Sequence, residues 1–160
     1  MAVHPSSTKL KHDCCEGEEV AGVSGTGITS LRLLFMNNET PTSPLAIVAE
    51  DEPLVRMVVA SFLEDAGYEV VETSSAEEAL QVLAREDGAD LLVSDVEMSG
   101  VSGFALSKMA RERAPDIAIV LVSGRQAPSK SELPPGARFL QKPFTPDQLL
   151  SEVGAATAAV

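Results

Sequence analysis

Short runs of consecutive apolar residues alternate along the chain with stretches in which apolar residues recur every three or four positions. Such short runs, bounded by turn residues, are typical of strands that are buried on both faces of a parallel sheet. The longer periodic stretches indicate helices that cover the sheet. The alternation predicts right-handed crossovers and an α/β fold with a doubly wound parallel sheet. The predicted strands are residues 45–49, 68–71, 91–94, 117–122 and 138–140.

Residues that favour helix ends lie between these runs. Pro53 suits the first position of a helix, and Gly67 suits its C-terminal cap. Ser75 is predicted to cap the next helix, and Glu78, three residues on, to complete a capping box.

The stretch before the last strand interrupts the alternation. Helices are predicted after Ser102 and after Thr145, but residues 126–136, between strands four and five, contain three prolines. Proline removes a backbone donor and clashes with the preceding turn, so at most one helical turn fits there. The fourth helix is therefore predicted to be short or degenerate.

Composition and charge narrow the class of protein. Hydrophobic residues make up 44% of the chain but aromatic residues only 4%, so the predicted core is aliphatic. A formal net charge of −12 argues against direct binding to nucleic acid or an anionic membrane, since neutralising phosphates takes clustered Lys and Arg. The two cysteines, Cys14 and Cys15, are adjacent, which favours a reducing cytoplasm over a disulfide framework. We expect a soluble cytoplasmic protein whose partners are proteins or cations.

The first part of the chain lacks periodicity. Residues 1–43 are predicted to be a disordered N-terminal extension, and residues 44–160 the folded domain. Met36 begins a plausible short leader before the first strand. Residues 1–35 are therefore hypothesised to be a mis-assigned start or a dispensable extension, which N-terminal sequencing of the native protein would contradict by recovering Met1 or Ala2.

Polar residues follow the predicted strands where each one ends. Glu50 and Asp51 follow strand one, Asp95 follows strand three, Ser123 strand four and Lys142 strand five. The carboxyl ends of parallel strands share one edge of the sheet, which is where ligands bind in open α/β folds. Three carboxylates would repel one another there, and an all-oxygen site suits Mg²⁺, or Mn²⁺, better than Zn²⁺. A carboxylate, a hard metal ion, a hydroxyl and a lysine favour phosphoryl transfer onto an aspartate.

From Leu45 to Val160 the sequence resembles the receiver domains of bacterial two-component response regulators, of the stand-alone, single-domain type. The resemblance implies a flavodoxin-like sheet with strand order 2-1-3-4-5. It rests on four motifs in order: Glu50-Asp51-Glu52-Pro53, Asp95-Val96-Glu97-Met98-Ser99-Gly100, Ser123-Gly124 and Lys142-Pro143-Phe144.

The resemblance also implies roles for the acidic residues. Asp95 matches the aspartate that accepts the phosphoryl group. Glu50 and Asp51 match the acidic pair that holds Mg²⁺ together with Asp95 and the backbone carbonyl of Glu97.

Further roles are implied for the residues of the switch. Ser123 matches the hydroxyl that moves to the phosphoryl group, Lys142 the lysine that pairs with it, and Phe139 the aromatic side chain that swings inward. Lys142-Pro143 matches a cis peptide, a state available almost only before proline. Ser99 departs from the family pattern, which has proline at this position, so the loop after Asp95 is expected to be less rigid.

The expected partners are a histidine kinase or a histidine phosphotransfer protein as donor and a downstream protein as target. The chain is expected to be a switch rather than a turnover enzyme. Two alternatives remain open. One is a phosphorylation-independent pseudo-receiver that acts as a docking module. The other is an Asp-nucleophile phosphatase of the haloacid-dehalogenase kind, in which Glu97 would be the second acid, although no cap insertion is present.

Overall fold

The structure is a computed structural model and describes residues 43–85, 88–125 and 133–160. These residues lie in one unit, Pro41–Val160. The predicted extension falls almost wholly on residues 1–42, outside the described part. The elements are β1 (Leu45–Ala49), α1 (Pro53–Asp65), β2 (Glu69–Thr73), α2 (Ala76–Leu83), β3 (Leu91–Asp95), α3 (Gly103–Arg113), β4 (Ala118–Ser123), β5 (Arg138–Gln141) and α4 (Pro146–Thr157).

The five strands form one parallel sheet in the order β2-β1-β3-β4-β5. This confirms the doubly wound fold and its strand order. The register sets the strand ends side by side: Ala49 pairs with Ser94, and Ser123 pairs with Gln141. The residues that follow these pairs therefore meet at the same edge of the sheet.

Side chains of alternate strand residues fill two core layers, one on each face of the sheet. Ile47, Leu92 and Ile119 pack on the face covered by α2 and α3. Val48 and Val93 pack on the opposite face, which α1 and α4 cover. The largest fully buried side chains are all Ile, Leu or Val, as the low aromatic content predicted.

The ends of α1 agree in part with those predicted from the sequence. Pro53 occupies the first turn of α1, but the C-terminal cap is Ala66, and Gly67 is the residue after it, with φ of 91°. The Gly67 N–H donates to the Glu64 carbonyl, and the Tyr68 N–H to the Leu63 carbonyl, which is a Schellman motif.

The predicted capping box of α2 is only half correct. The Ser75 hydroxyl accepts from the Glu78 N–H, as expected. The Glu78 carboxylate instead accepts from the N–H and hydroxyl of Ser74, the residue before the cap. A complete capping box does occur at α4, between Thr145 and Gln148.

The observed strand boundaries differ from those predicted from the apolar runs where polar residues continue the backbone pairing. β2 starts at Glu69 and extends to Thr73, because its pairing with β1 continues through Glu72 although the side chains have become polar. Of the segment 126–136, residues 126–132 lie outside the described part, and the remaining residues, 133–136, form no helix. Four helices are thus described, none of them long and apolar enough to cross a bilayer.

Candidate functional site

Three acidic side chains converge where β1 and β3 end. Glu50, Asp51 and Asp95 each place a carboxylate oxygen within 4.8 Å of the others. Glu50 is only 4% exposed and Asp95 7%, whereas Asp51 is the most accessible of the three. Adjacent pairing of β1 and β3 brings them together, as their positions at the strand ends predicted.

Lys142, just after β5, reaches into this cluster. Its Nζ donates a 2.7 Å hydrogen bond to Glu50 Oε2 and lies 3.2 Å from Asp95 Oδ1. The second contact is an ion pair without hydrogen-bond geometry, so the buried Asp95 Oδ1 has no hydrogen-bond partner within the described residues. A buried anionic oxygen in this condition is energetically costly unless it meets another cation or a reacting group. The site therefore offers the oxygen ligands that a hard divalent cation requires, and the lone pairs of Asp95 Oδ1 are available for coordination.

Burial and neighbouring charges perturb two groups of the site. Burial raises the pKa of Glu50, and the Asp95 carboxylate adds to the rise, although the bond from Lys142 opposes it. For Lys142, burial would lower the pKa, but the bond to Glu50 and the charges of Glu50 and Asp95 outweigh burial and raise it. The lysine is therefore a cation throughout the physiological range, held against the buried Glu50 carboxylate.

Two polar residues support the acidic loop, and sequence reasoning missed both contacts. Asp51 Oδ2 accepts hydrogen bonds from the Ser99 N–H at 3.0 Å and from the Ser99 hydroxyl at 3.1 Å. Arg56 donates to the Glu50 backbone carbonyl at 2.7 Å and forms an ion pair with Glu72. Ser99 was visible in the sequence as a departure from the family pattern, but its partner was not. Arg56 carried no signal beyond its place in the second turn of α1.

The backbone of Asp95 is held tightly by the loop and helix that follow it. The Val96 N–H donates to the Val122 carbonyl, and the Gly103 N–H donates to the Val96 carbonyl. A Cβ at position 103 would overlap the Asp95 carbonyl oxygen, so the start of α3 requires glycine. These contacts fix the direction in which Asp95 enters the cluster.

Ser123, at the end of β4, lies beside the cluster and is 1% exposed. Its hydroxyl accepts from the Arg125 N–H at 3.0 Å, and its carbonyl accepts from the Lys142 N–H at 2.8 Å. The Arg125 side chain forms an ion pair with Glu97, so the loops after β3 and β4 are linked across the rim of the site. The role predicted for the Glu97 backbone carbonyl stays a prediction.

Phe139 lies on β5, three residues before Lys142. Its side chain is half-buried and packs against the core layer beneath α2 and α3. The Lys142–Pro143 peptide is cis, as the resemblance implied. The structure thus assembles Glu50, Asp51, Asp95 and Lys142 directly. The roles of Ser123 and Phe139 require movement and stay predictions.

Comparison with known proteins gives a consistent result. A sequence profile described as response regulator receiver domain matches residues 46–154. The response regulator receiver protein CpdR of Brucella abortus is 32% identical over 110 residues, covering 67% of this chain and 91% of CpdR. The sensor kinase CckA of the same organism is 37% identical over 115 residues, covering 69% of this chain but only 12% of the kinase.

A solved structure gives the same placement. The crystal structure of a response regulator receiver protein from Sinorhizobium medicae superposes with a TM-score of 0.69 at 31% identity. The match covers 73% of this chain and 96% of the other.

Proposed function

The chain belongs to the receiver domains of two-component response regulators, and from this premise we propose that it is a switch controlled by phosphorylation of Asp95. The donor is a phosphohistidine on a histidine kinase or a histidine phosphotransfer protein. The observation that carries the proposal is the buried Asp95 Oδ1, which accepts no hydrogen bond from the residues that the structure describes and lies 3.2 Å from the Lys142 ammonium. That environment suits a carboxylate that acts as a nucleophile rather than one that stabilises the fold.

In the proposed reaction a carboxylate oxygen of Asp95 attacks the phosphorus of the donor. The new O–P bond forms as the P–N bond to the donor imidazole breaks, and the imidazole leaves with the electron pair and takes up a proton. Lys142, within 3.2 Å of Asp95, stabilises the charge on the transferring phosphoryl oxygens. Glu50, Asp51 and Asp95, with the backbone carbonyl of Glu97, are the residues that would hold Mg²⁺, which neutralises the same charge when bound.

The switch follows from the new charge. An aspartyl phosphate carries about −2 charge by analogy with other phosphorylated side chains. We propose that the Ser123 hydroxyl gives up its bond from the Arg125 N–H and donates to a phosphoryl oxygen, and that Phe139 moves inward. A near-complete shift of a two-state element takes about 5.5 kcal/mol of differential interaction. A buried, metal-bound dianion supplies a large part of this free energy.

A protein donor is supported by the surface next to the site. α1 begins two residues after Asp51, and it exposes Leu54 (72%), Met57 (59%) and Val58 (49%), the most exposed large hydrophobic residues of the described part apart from the C-terminal Val160. Leu54 and Val58 line one groove with Lys142, Pro143 and Phe144. A donor that brings its imidazole to Asp95 must cover this rim, and an apolar helix face is the kind of surface that it would bury.

The test is the intact mass of the protein after incubation with Mg²⁺ and a donor, using both acetyl phosphate and a phosphorylated histidine kinase. Wild type should gain one phosphoryl group and Asp95→Ala none. Asp116→Ala, which removes an exposed carboxylate between α3 and β4, is the matched control and should behave as wild type. No gain from either donor would overturn the proposal.

Two further readouts address the alternatives. Sustained turnover of small phosphate esters would favour a phosphatase. Partner binding that is the same in wild type and Asp95→Ala, with or without donor, would favour a docking module.

A further inference from the structure

Ser99 makes a contact that a proline at this position could not make. Both its backbone N–H and its hydroxyl donate to the same oxygen, Asp51 Oδ2, at 3.0 and 3.1 Å. The two residues are 48 positions apart, so the contact joins the loop after β1 to the loop after β3. Proline has neither donor, and therefore the residue that the family pattern has at this position would form neither bond.

The position of Asp51 explains what the bonds achieve. Asp51 is the most exposed of the three acids, and among the described residues the hydrogen bonds to its carboxylate come from Ser99. Two hydrogen bonds to an ionised oxygen are individually strong and together restrict rotation about the Cβ–Cγ bond. They also offset part of the repulsion from Glu50 and Asp95, whose oxygens lie within 4.8 Å. Oδ1 receives no bond from Ser99 and is left to act as a ligand.

We propose that Ser99 is a positioning residue for the metal: it holds the Asp51 carboxylate in the orientation in which it joins Glu50 and Asp95 around Mg²⁺. The inference rests on the proposed function in so far as Mg²⁺ is the ion bound. Mg²⁺ requires near-ideal octahedral geometry, whereas Ca²⁺ tolerates irregular geometry and variable ligand number. Fixing the carboxylate therefore favours Mg²⁺ over Ca²⁺.

The test is isothermal titration calorimetry of Mg²⁺ and Ca²⁺ into wild type and Ser99→Ala. Ser99→Ala loses the hydroxyl bond but keeps the backbone bond, and Mg²⁺ affinity should fall about tenfold, in the range seen when partners of metal ligands are removed. Ca²⁺ affinity should fall less. Ser99→Pro, which removes both bonds, should lose more Mg²⁺ affinity than Ser99→Ala. Ser151→Ala, an exposed hydroxyl on α4, is the control and should match wild type.

A second background separates positioning from a general effect on the loop. In Asp51→Asn the ligand charge is absent, so adding Ser99→Ala should change the residual Mg²⁺ affinity by less than twofold. An equal loss in both backgrounds would overturn the inference, as would unchanged or tighter Mg²⁺ binding by Ser99→Ala, or equal losses for the two ions. If wild type binds no Mg²⁺ at all, the metal part of the proposed function fails instead.

Discussion

Neutralising Asp51 should stabilise the protein when no divalent cation is present. Glu50, Asp95 and Lys142 together carry a net charge of about −1 at neutral pH, and Asp51 has an oxygen within 4.8 Å of the other two acids. The repulsion across 4.8 Å is about 3 kcal/mol at an effective dielectric of about 20 and about 1 kcal/mol at that of water. Because Asp51 lies near solvent, we expect Asp51→Asn to raise the free energy of unfolding by about 1–3 kcal/mol. The Asn carbonyl can still accept both bonds from Ser99, and the loss of strength on going from a carboxylate to an amide acceptor offsets part of the gain.

The assay is urea unfolding at pH 7.5 and low ionic strength, with EDTA or with Mg²⁺. In Mg²⁺ at about tenfold above its dissociation constant, binding should add about 1.4 kcal/mol to the free energy of unfolding of wild type and almost nothing to that of Asp51→Asn. The difference in stability between the two proteins should therefore shrink or change sign. Asp116→Asn makes the same change in net charge on an exposed turn and should shift neither value by more than about 0.5 kcal/mol. Destabilisation by Asp51→Asn in EDTA, or a gain equal to that of Asp116→Asn, would refute the argument from repulsion within the cluster.

Two further substitutions test other parts of the site. Gly103→Ala should lower the free energy of unfolding by about 2 kcal/mol or more and reduce phosphoryl transfer to Asp95, because the added methyl group overlaps the Asp95 carbonyl oxygen. The control is Gly154→Ala on α4, whose added Cβ would meet no atom within 4 Å and which should raise the free energy of unfolding by up to about 1 kcal/mol. Equal effects of the two substitutions would contradict a clash at position 103. Lys142→Met should lower the free energy of unfolding by about 2 kcal/mol or more near pH 7, because it leaves the buried Glu50 carboxylate without its cation. In the folded state burial lowers the pKa of Lys142, but the bond to Glu50 and the charges of the nearby acids outweigh burial and raise it. The contribution of protonated Lys142 to the stability of the fold is therefore complete below pH 10.5 and is lost as pH rises through the folded-state pKa. The difference between wild type and Lys142→Met in urea unfolding should therefore shrink above pH 10.5, and a constant difference would contradict it.

The sequence was sufficient to predict the order of the elements and the meeting of the strand ends. Both follow from local periodicity and from the rule that parallel strands present their carboxyl ends on one edge. The sequence alone therefore predicted that Glu50, Asp51, Asp95 and Lys142 lie together at one edge of the sheet. The boundaries were less predictable, since the pairing of β2 is decided by backbone hydrogen bonds and continues through the polar residue Glu72.

Contacts between side chains on different loops could not be predicted. The bond between Ser99 and Asp51 depends on the relative placement of two loops separated by 48 positions, which no periodicity encodes. The bond from the Ser74 N–H to the Glu78 carboxylate likewise depends on the local path of the backbone before α2. The role that the resemblance implies for Phe139 depends on a second conformation and stays a prediction.

The cation of the site, Lys142, follows a strand at the edge of the sheet. Among the described strands β5 pairs with β4 alone, whereas the acids end or follow the inner strands β1 and β3. Segments with fewer neighbours open at lower free energy than the whole domain. Opening of β5 and α4 would withdraw Lys142 while the carboxylates stayed in place, which leaves their mutual repulsion uncompensated and makes the open form a weaker phosphoryl acceptor. Amide exchange in β5 should therefore be faster than in β3, and a bound phosphoryl group, by attracting Lys142, should slow it.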